Sequence, residues 1–234
     1  MNTLLRDAGN SSNSDPHFPF SRCFDWYNGH SWAKGLFESW DGKDEESSSE
    51  DVHFAYSVAL WGAVNSLAGN QNEAEQAAYD ATTNRGLLML AILRRSCRAY
   101  MHFKADTPHH PPAFALNRLS GILFEGKVDH TTYFGANIEF THGIHMLPAT
   151  PASAYVRDPT WCKEEWETWF NEGRAEKVEG GWRGVLMASR IAWDVVSASG
   201  WFFNSGLDKK YLDGGMSLAY YRALAAETLA TQLG

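Results

Sequence analysis

The sequence predicts a mainly α-helical domain, and three observations support this class. The 234 residues are 44% hydrophobic, which is enough to bury a sizeable core. Apolar residues recur at three- and four-residue spacing over long segments, as in amphipathic helices. The segments between them are rich in Gly, Pro, Asn and Asp and differ in length. We therefore expect function to reside on polar and aromatic loops that join consecutive helices.

The first half of the chain contains two predicted helices. Residues 8–23 mix Gly, Asn, Ser, Asp and Pro and are predicted to be irregular. The apolar spacing predicts an amphipathic helix over residues 48–67, which a Gly-Asn turn ends near residue 69. Residues 72–100 are rich in Ala, Leu, Glu, Gln and Arg, so we expect a longer core helix there. Prolines make residues 105–117 a loop.

The second half begins with a segment of different character. Residues 121–151 hold β-branched and aromatic residues interrupted by Gly and Pro, which predicts short strands and loops that display polar groups. Helical spacing then returns and predicts three further helices, at residues 160–171, 182–197 and 209–233.

The charge and hydropathy of the chain exclude several partners. It carries 20 basic and 28 acidic residues, so no positive field attracts phosphate backbones and nucleic acid is not an expected partner. No segment approaches the roughly 20 apolar residues of a membrane span, and the start lacks the apolar run of a signal peptide. Asn10-Ser11-Ser12 is a glycosylation triplet, which matters only in a secreted protein.

An acidic segment, DGKDEESSSED at residues 41–51, leads into the first long predicted helix. Glu46 and Glu50 are four residues apart, so in helical geometry both carboxylates would lie on one face, as paired groups for general acid or base catalysis. The alternative is a capping box, Ser47-x-x-Glu50, in which Glu50 bonds to backbone N–H groups at the helix start. The spacing alone favours the capping box.

An aromatic segment, FDWYNGHSWAKGLF, occupies residues 24–37. Its candidate binding side chains are Asp25, Trp26, Tyr27, His30 and Trp32. Polar groups among aromatic rings are typical of a sugar-binding surface, where the rings stack on pyranose faces. A buried aromatic cluster around a hydrogen-bonded histidine has the same composition, and the spacing does not separate the two interpretations.

Several segments, taken in order, resemble one family. They are DWYNGHSWAKGLFES and DGKDEESSSED near the start, GILFEGKVD and HGI in the middle, and LDGG near the end. Together they resemble the catalytic domain of glycoside hydrolase family 81, the endo-1,3-β-glucanases that cut laminarin-type β-1,3-glucan. The similarity spans nearly all of the chain.

The resemblance implies a fold and a mechanism. The fold would be part of an (α/α)6 toroid with short β-hairpins or loops at its rim. Family members invert the anomeric centre, which requires an acid for the leaving oxygen and a base for the attacking water. The family's glutamate pair falls on Glu46 and Glu50, with Glu50 implied as the base and Glu46 as the residue that positions water or sugar. The reverse assignment stays open.

The resemblance also implies that residues 1–234 form an incomplete catalytic domain. The family's general acid is an Asp in a His-rich segment ahead of the stretch matched by DWYNGHSWA, and a β-sandwich and the first toroid helices precede it. We therefore expect a C-terminal fragment that contains the base and lacks the acid, with at most weak activity by itself. Helix faces left without their partners would favour association.

Substrate-binding residues follow from the same resemblance. One set lies in the aromatic segment and a second, on the opposite wall, lies in residues 121–151: Asp25, Tyr27, His30 and Trp32, then Asp129, Thr131, Glu139 and His142. The partner implied is β-1,3-glucan, with no cofactor and no metal. The full-length protein is expected outside the cell or in the cell wall.

Two hypotheses from other classes compete with this one. The chain would act as a non-catalytic β-glucan-binding module if the aromatic segment binds sugar without hydrolysis. It would be a metal-dependent hydrolase if His142 and His145, or the adjacent His109 and His110, held a metal ion. The second is disfavoured because zinc needs three or four ligands and no matching carboxylate or cysteine framework accompanies these histidines.

Overall fold

The structure, a computed structural model, describes residues 3–7, 14–69 and 71–233. Within these residues the helices are α1 (Thr3–Asp7), α2 (Ser48–Leu67), α3 (Glu73–Ser96), α4 (Pro112–Ala115), α5 (Ile138–Gly143), α6 (Ser153–Val156), α7 (Pro159–Trp169), α8 (Gly181–Arg190), α9 (Val195–Phe202) and α10 (Leu218–Leu233). The strands are β1 (Phe24–Asp25), β2 (His30–Ser31), β3 (Asp44–Glu45), β4 (Ile122–Phe124) and β5 (Val128–Asp129). The mainly α class is therefore confirmed. The glycosylation triplet at Asn10 lies outside the described residues.

The long predicted helices of the first half are confirmed. Helix α2 has the predicted bounds, and α3 continues as a π-helical turn, Cys97–Met101. The two helices pack closely because Gly86 of α3 lies against the backbone of α2: a Cβ on Gly86 would lie 2.3 Å from the backbone nitrogen of Ala59. The apolar faces of α2 and α3 then share one core, which contains Ala55 and Leu93.

Two of the later predicted helices are shorter than the sequence pattern indicated. Residues 182–197 contain nearly all of α8, which ends at Arg190, and the start of α9, because the Asp194 side chain caps α9 by accepting a hydrogen bond from the backbone N–H of Ser197 at 3.2 Å. Residues 209–217 form a 3-10 turn and a loop with paired glycines, so α10 begins only at Leu218. Helix α5, inside the predicted strand-and-loop region, was not predicted.

Two small antiparallel sheets position the acidic segment. Strands β1 and β2 form a hairpin, and β4 lies between β3 and β5 in a three-stranded sheet. Glu45 of β3 pairs with Leu123 of β4, so the residues just before α2 are held by a strand that is distant in sequence. A second core, built around Trp166, Leu186 and Phe202, joins α7 to α10.

Candidate functional site

The candidate site lies where the acidic segment enters α2. Ser47 is the N-cap residue, and its hydroxyl oxygen accepts a hydrogen bond from the backbone N–H of Glu50 at 3.4 Å. Glu50 therefore lies in the first turn of the helix, whereas Glu46 precedes the cap. The prediction that Glu46 and Glu50 share one helical face is wrong, because the helix begins between them.

The capping-box interpretation is only half correct. The Ser47 side chain caps the helix, but the backbone N–H of Ser47 donates to Oε1 of Glu45 at 2.7 Å and not to Glu50. Within the described residues the Glu50 carboxylate makes no hydrogen bond or ion pair, and the residue is exposed. Glu46 is fixed, because its Oε1 accepts a hydrogen bond from the backbone N–H of Tyr133 at 2.8 Å. The two glutamates thus differ in their freedom to engage a ligand.

A cavity of about 280 Å³ opens in front of this helix start. Four carboxylate residues line it together with apolar and hydroxyl groups: Glu45, Glu46, Glu50 and Asp51, with Cys23, Ser31, Trp32, Ala33, Ser47, Phe54 and Ile144. The sequence reasoning assigned no role to Glu45 and Asp51. Their burial depends on strand β4 and the β2 hairpin, and no local pattern in the acidic segment indicates those contacts.

Asp51 and Glu45 are buried carboxylates at the base of the cavity. The backbone N–H and the hydroxyl of Ser31 each donate to Asp51 at 2.6 Å. Burial nevertheless raises the pKa of Asp51 to about 6. Burial, together with the nearby Asp51 carboxylate, raises the pKa of Glu45 well above its ordinary value. Both carboxyl groups therefore keep their protons to higher pH than a solvent-exposed carboxyl group does.

The three serines of the acidic segment anchor it to residues 144–147. The hydroxyls of Ser47 and Ser49 donate to the carbonyl oxygen of Ile144 at 2.8 and 3.0 Å. Ser48 meets Nδ1 of His145 through its backbone N–H at 3.2 Å and its hydroxyl at 2.9 Å. Burial lowers the pKa of His145 to about 3, so this ring is neutral near pH 7. The serines thus fix the helix start against a separate part of the chain.

The aromatic segment is divided between core and surface. Tyr27 is 96% exposed, whereas Trp32 is buried and forms a wall of the cavity. His30 is buried, its Nδ1 lies 2.8 Å from the carbonyl oxygen of Ser31, and burial lowers its pKa. Its predicted position on an open sugar-binding surface is wrong, because the ring packs edge-on against Trp32 at 4.6 Å.

Asp25 is engaged within its own hairpin. Its carboxylate accepts hydrogen bonds from the backbone N–H groups of Tyr27 and Asn28, from the Asn28 side chain at 2.7 Å and from the Trp32 indole at 3.0 Å. These bonds outweigh the effect of burial and lower the pKa of Asp25 to about 2. Four donors fill the acceptor capacity of a carboxylate. Asp25 therefore holds the Trp32 ring in place through the indole hydrogen bond.

The predicted opposite wall does not line this cavity. Asp129 pairs with Lys127 at 2.9 Å, the Thr131 hydroxyl lies 3.3 Å from the carbonyl oxygen of Thr132, and Glu139 accepts a hydrogen bond from the Asn137 side chain at 3.0 Å. These three residues are partly exposed, and their roles in glucan binding stay predictions.

The expectation that His142 faces the cleft is wrong. The side chain is fully buried, and its Nδ1 lies 2.7 Å from Oε1 of Glu165. His145, its neighbour in the HGIH segment, points to Ser48 and to the Gly121 carbonyl oxygen instead. In the part of the chain that the structure describes, no three His, Cys, Asp or Glu residues converge to hold a metal ion. Likewise, no described helix combines the length and hydropathy needed to cross a membrane.

Comparisons with known proteins give a consistent result. Residues 1–222 match the model of the glycosyl hydrolase family 81 C-terminal domain. The chain is 49% identical over its full length to a glucan endo-1,3-beta-D-glucosidase of Arthroderma benhamiae, of which it covers 25%. It is 41% identical, over 97% of its length, to the primary septum glucan endo-1,3-beta-D-glucosidase of Schizosaccharomyces pombe, of which it covers 21%. The chain thus spans about a quarter of these curated relatives.

A solved structure shows the same fold. Glycoside hydrolase family 81 from Clostridium thermocellum superposes with a TM-score of 0.73 at 24% sequence identity, over 96% of this chain and 29% of that one.

Proposed function

The chain belongs to glycoside hydrolase family 81, and we propose that it forms the base side of an endo-1,3-β-glucanase active site. The reaction is hydrolysis of internal β-1,3-glucosidic linkages with inversion of the anomeric centre. The observation that carries the proposal is the Glu50 carboxylate, which borders the cavity and is the glutamate of the pair without a partner among the described residues. The names of two relatives, both glucan endo-1,3-beta-D-glucosidases, support the substrate class.

Glu50 acts as the general base in this proposal. A free carboxylate takes a proton from a water molecule while that water attacks the anomeric carbon from the face opposite the leaving oxygen. Glu46, held by the Tyr133 backbone, has one carboxylate oxygen committed to the protein and the other available to orient the water or a sugar hydroxyl. In this proposal the unpaired Glu50 carboxylate takes the proton, and the hydrogen-bonded Glu46 carboxylate sets the geometry.

The general acid is assigned to an Asp outside residues 1–234, in line with the family resemblance. Residues 1–234 are then part of an (α/α)6 toroid, with the β1–β2 hairpin and the β3–β4–β5 sheet at its rim. The other toroid helices and a β-sandwich come from upstream sequence. An inverting pair needs about 6.5 to 9.5 Å between its carboxyl groups, which leaves room for the attacking water. A cavity of about 280 Å³ beside Glu50 is large enough for that water.

Replacement of Glu50 tests the base assignment. In the protein that carries this chain, Glu50→Gln is expected to lower laminarin turnover by about 10²- to 10⁴-fold, because Gln cannot accept the proton from water. Glu46→Gln keeps an acceptor for the Tyr133 N–H and is expected to cost less. The assay counts new reducing ends.

Glu73→Gln is the matched control. Glu73 is also exposed and also lies in the first turn of a long helix, α3, but it is not a lining residue of the cavity. Its variant should retain wild-type turnover. Wild-type turnover by Glu50→Gln would remove Glu50 from the base role.

A glucan-binding module is the second candidate function. The exposed Tyr27 ring, and those of Phe37 and Trp40, favour it because exposed aromatic faces stack on sugars. Electrophoresis through gels that contain laminarin separates the two functions. Retarded migration without new reducing ends would favour binding alone, and reducing ends favour the hydrolase.

An extracellular or cell-wall location follows from the proposed substrate, since β-1,3-glucan is a wall polymer. The primary septum relative supports this location. Activity recovered in the wall fraction of cells that express the protein would agree with it, and activity confined to the cytosol would contradict it.

A further inference from the structure

Helices α2 and α3 both begin with a capping residue that is followed three positions later by a glutamate, but the glutamate is hydrogen-bonded differently in each. At α3, the Asn72 side chain accepts a hydrogen bond from the Glu75 N–H at 3.0 Å, and the Glu75 carboxylate accepts one from the Asn72 N–H at 3.2 Å. This is a closed capping box. At α2, Ser47 and Glu50 occupy the corresponding positions, and only the first of the two bonds forms.

Glu45 accounts for the missing bond. Its Oε1 accepts the Ser47 N–H at 2.7 Å, which is the N–H group that Glu50 would otherwise take. Glu45 is buried and its backbone is fixed by pairing with Leu123. The donor that would close the capping box is therefore already occupied.

We propose that Glu45 is a positioning residue that occupies the Ser47 N–H and so keeps the Glu50 carboxylate out of the capping box and available to the cavity. This inference rests on the proposed function of Glu50. Glu45 does not touch the reacting atoms in this account. It acts because a single N–H cannot donate well to two carboxylates, and the buried Glu45 carboxylate already accepts this one at 2.7 Å.

The protonation state of Glu45 is compatible with this task. Burial raises its pKa, so the side chain is a neutral carboxyl group over part of the acidic range. Its carbonyl oxygen accepts a hydrogen bond in that form too. The task therefore requires an acceptor atom at this place and not a negative charge, which makes glutamine the correct mimic.

Glu45→Gln and Glu45→Met test the inference as a matched pair. The two side chains are similar in length, and they differ in whether they present an acceptor to the Ser47 N–H. Glu45→Gln should retain kcat within about twofold. Glu45→Met should lower kcat about tenfold at unchanged KM, because the Ser47 N–H becomes available and Glu50 closes the capping box.

A second readout separates positioning from loss of structure. Bonding to the Ser47 N–H favours the charged form of Glu50. The acidic limb of the kcat profile of Glu45→Met should therefore lie at lower pH than that of Glu45→Gln, which loses the same carboxylate, while the melting temperature changes little because the new cap replaces the old one. Glu45→Leu repeats the test if Glu45→Met does not fold.

The outcomes are distinct. Wild-type kcat and a pH profile equal to that of Glu45→Gln in the folded apolar variant would overturn the inference and leave Glu50 as base. Equal losses in Glu45→Gln and Glu45→Met would also overturn it, because the charge and not the acceptor would then matter. Full turnover by Glu50→Gln would overturn the proposed function itself.

Discussion

At the residue scale, the function of the acidic segment depends on which carboxylate is bonded. Sequence spacing correctly indicated a serine cap at Ser47 and identified Glu50 as the residue three positions later. It could not show that the Ser47 N–H donates to Glu45 and not to Glu50. That hydrogen bond depends on the pairing of Glu45 with a strand at residues 122–124, which is distant in the sequence. The family resemblance, and not the local pattern, directed attention to the glutamate pair.

Asp25 provides a residue-scale prediction about stability. Asp25→Ala removes an acceptor of four hydrogen bonds and should lower the free energy of unfolding by about 2 to 3 kcal/mol at pH 7. Because the folded pKa of about 2 lies below the ordinary value of 3.8, this stabilisation is present above about pH 4 and is lost as pH falls toward 2. Urea unfolding of wild type and Asp25→Ala between pH 7 and about pH 2 measures the difference in their free energies of unfolding.

Asp106→Ala is the control for this prediction, since Asp106 is exposed and should be replaceable at little cost. A constant stability difference between wild type and Asp25→Ala from pH 7 to pH 2 would contradict the assigned hydrogen bonds.

At the scale of elements, helices α2 and α3 were predicted, and strands β4 and β5 lie in the segment predicted to hold short strands, but strand β3 and its pairing with β4 were not predicted. The spacing of apolar residues over residues 48–67 is local information. Strands of two or three residues, such as β3 and β5, have too few residues to show an alternating pattern. Strand β3 forms only by pairing with β4, which is distant in the sequence. This is why the sequence did not indicate that Glu45 lines the cavity.

A buried ionic network joins α5, α7 and Arg157, the C-cap residue of α6, and gives a second stability prediction. The Arg157 guanidinium donates to Glu165 of α7 at 2.7 Å, and the same carboxylate meets His142 of α5 at 2.7 Å. Arg157→Met leaves the Glu165 charge buried beside the histidine alone and should cost about 3 to 5 kcal/mol. The double variant Arg157→Met/Glu165→Met should recover part of that loss.

The exposed pair Lys163 and Glu167 is the internal control for the network. Lys163→Met should change the free energy of unfolding by less than about 1 kcal/mol. Equal costs for Arg157→Met and Lys163→Met in urea unfolding would contradict a structural role for the buried network.

At the scale of the whole molecule, the class was predictable because length, composition and helical periodicity all agree. The sequence did not predict the bounds of the helices in residues 182–197 and 209–233, because the Asp194 side chain caps a new helix at Val195 and the paired glycines precede a late start of α10 at Leu218. Nor did it separate buried from exposed members of the aromatic segment. That distinction arises only when the hairpin packs against α3, whose Ser96 hydroxyl bonds to the Gly29 carbonyl oxygen.

An apolar stripe on α2 gives a prediction for the whole chain. Leu60, Val64 and Leu67 recur along one side of the helix, and all three are exposed, Leu67 by 85%. Residues 1–234 expressed alone are expected to self-associate through such surfaces. Sedimentation velocity should show oligomers that Val64→Glu/Leu67→Glu reduces. A monomer at all concentrations would contradict the expectation.

The stereochemistry of hydrolysis tests the central claim most directly. If Glu50 activates water in the protein that carries this chain, cleavage of β-1,3-glucan gives a product whose new reducing end is first in the α configuration. Proton NMR of the anomeric signals, recorded within the first minutes of laminarin hydrolysis, detects that anomer before mutarotation. We predict that the α-anomer forms first and that Glu50→Gln forms almost none. Initial formation of the β-anomer would contradict the account, because a carboxylate would then attack as a nucleophile and water would enter from the other face.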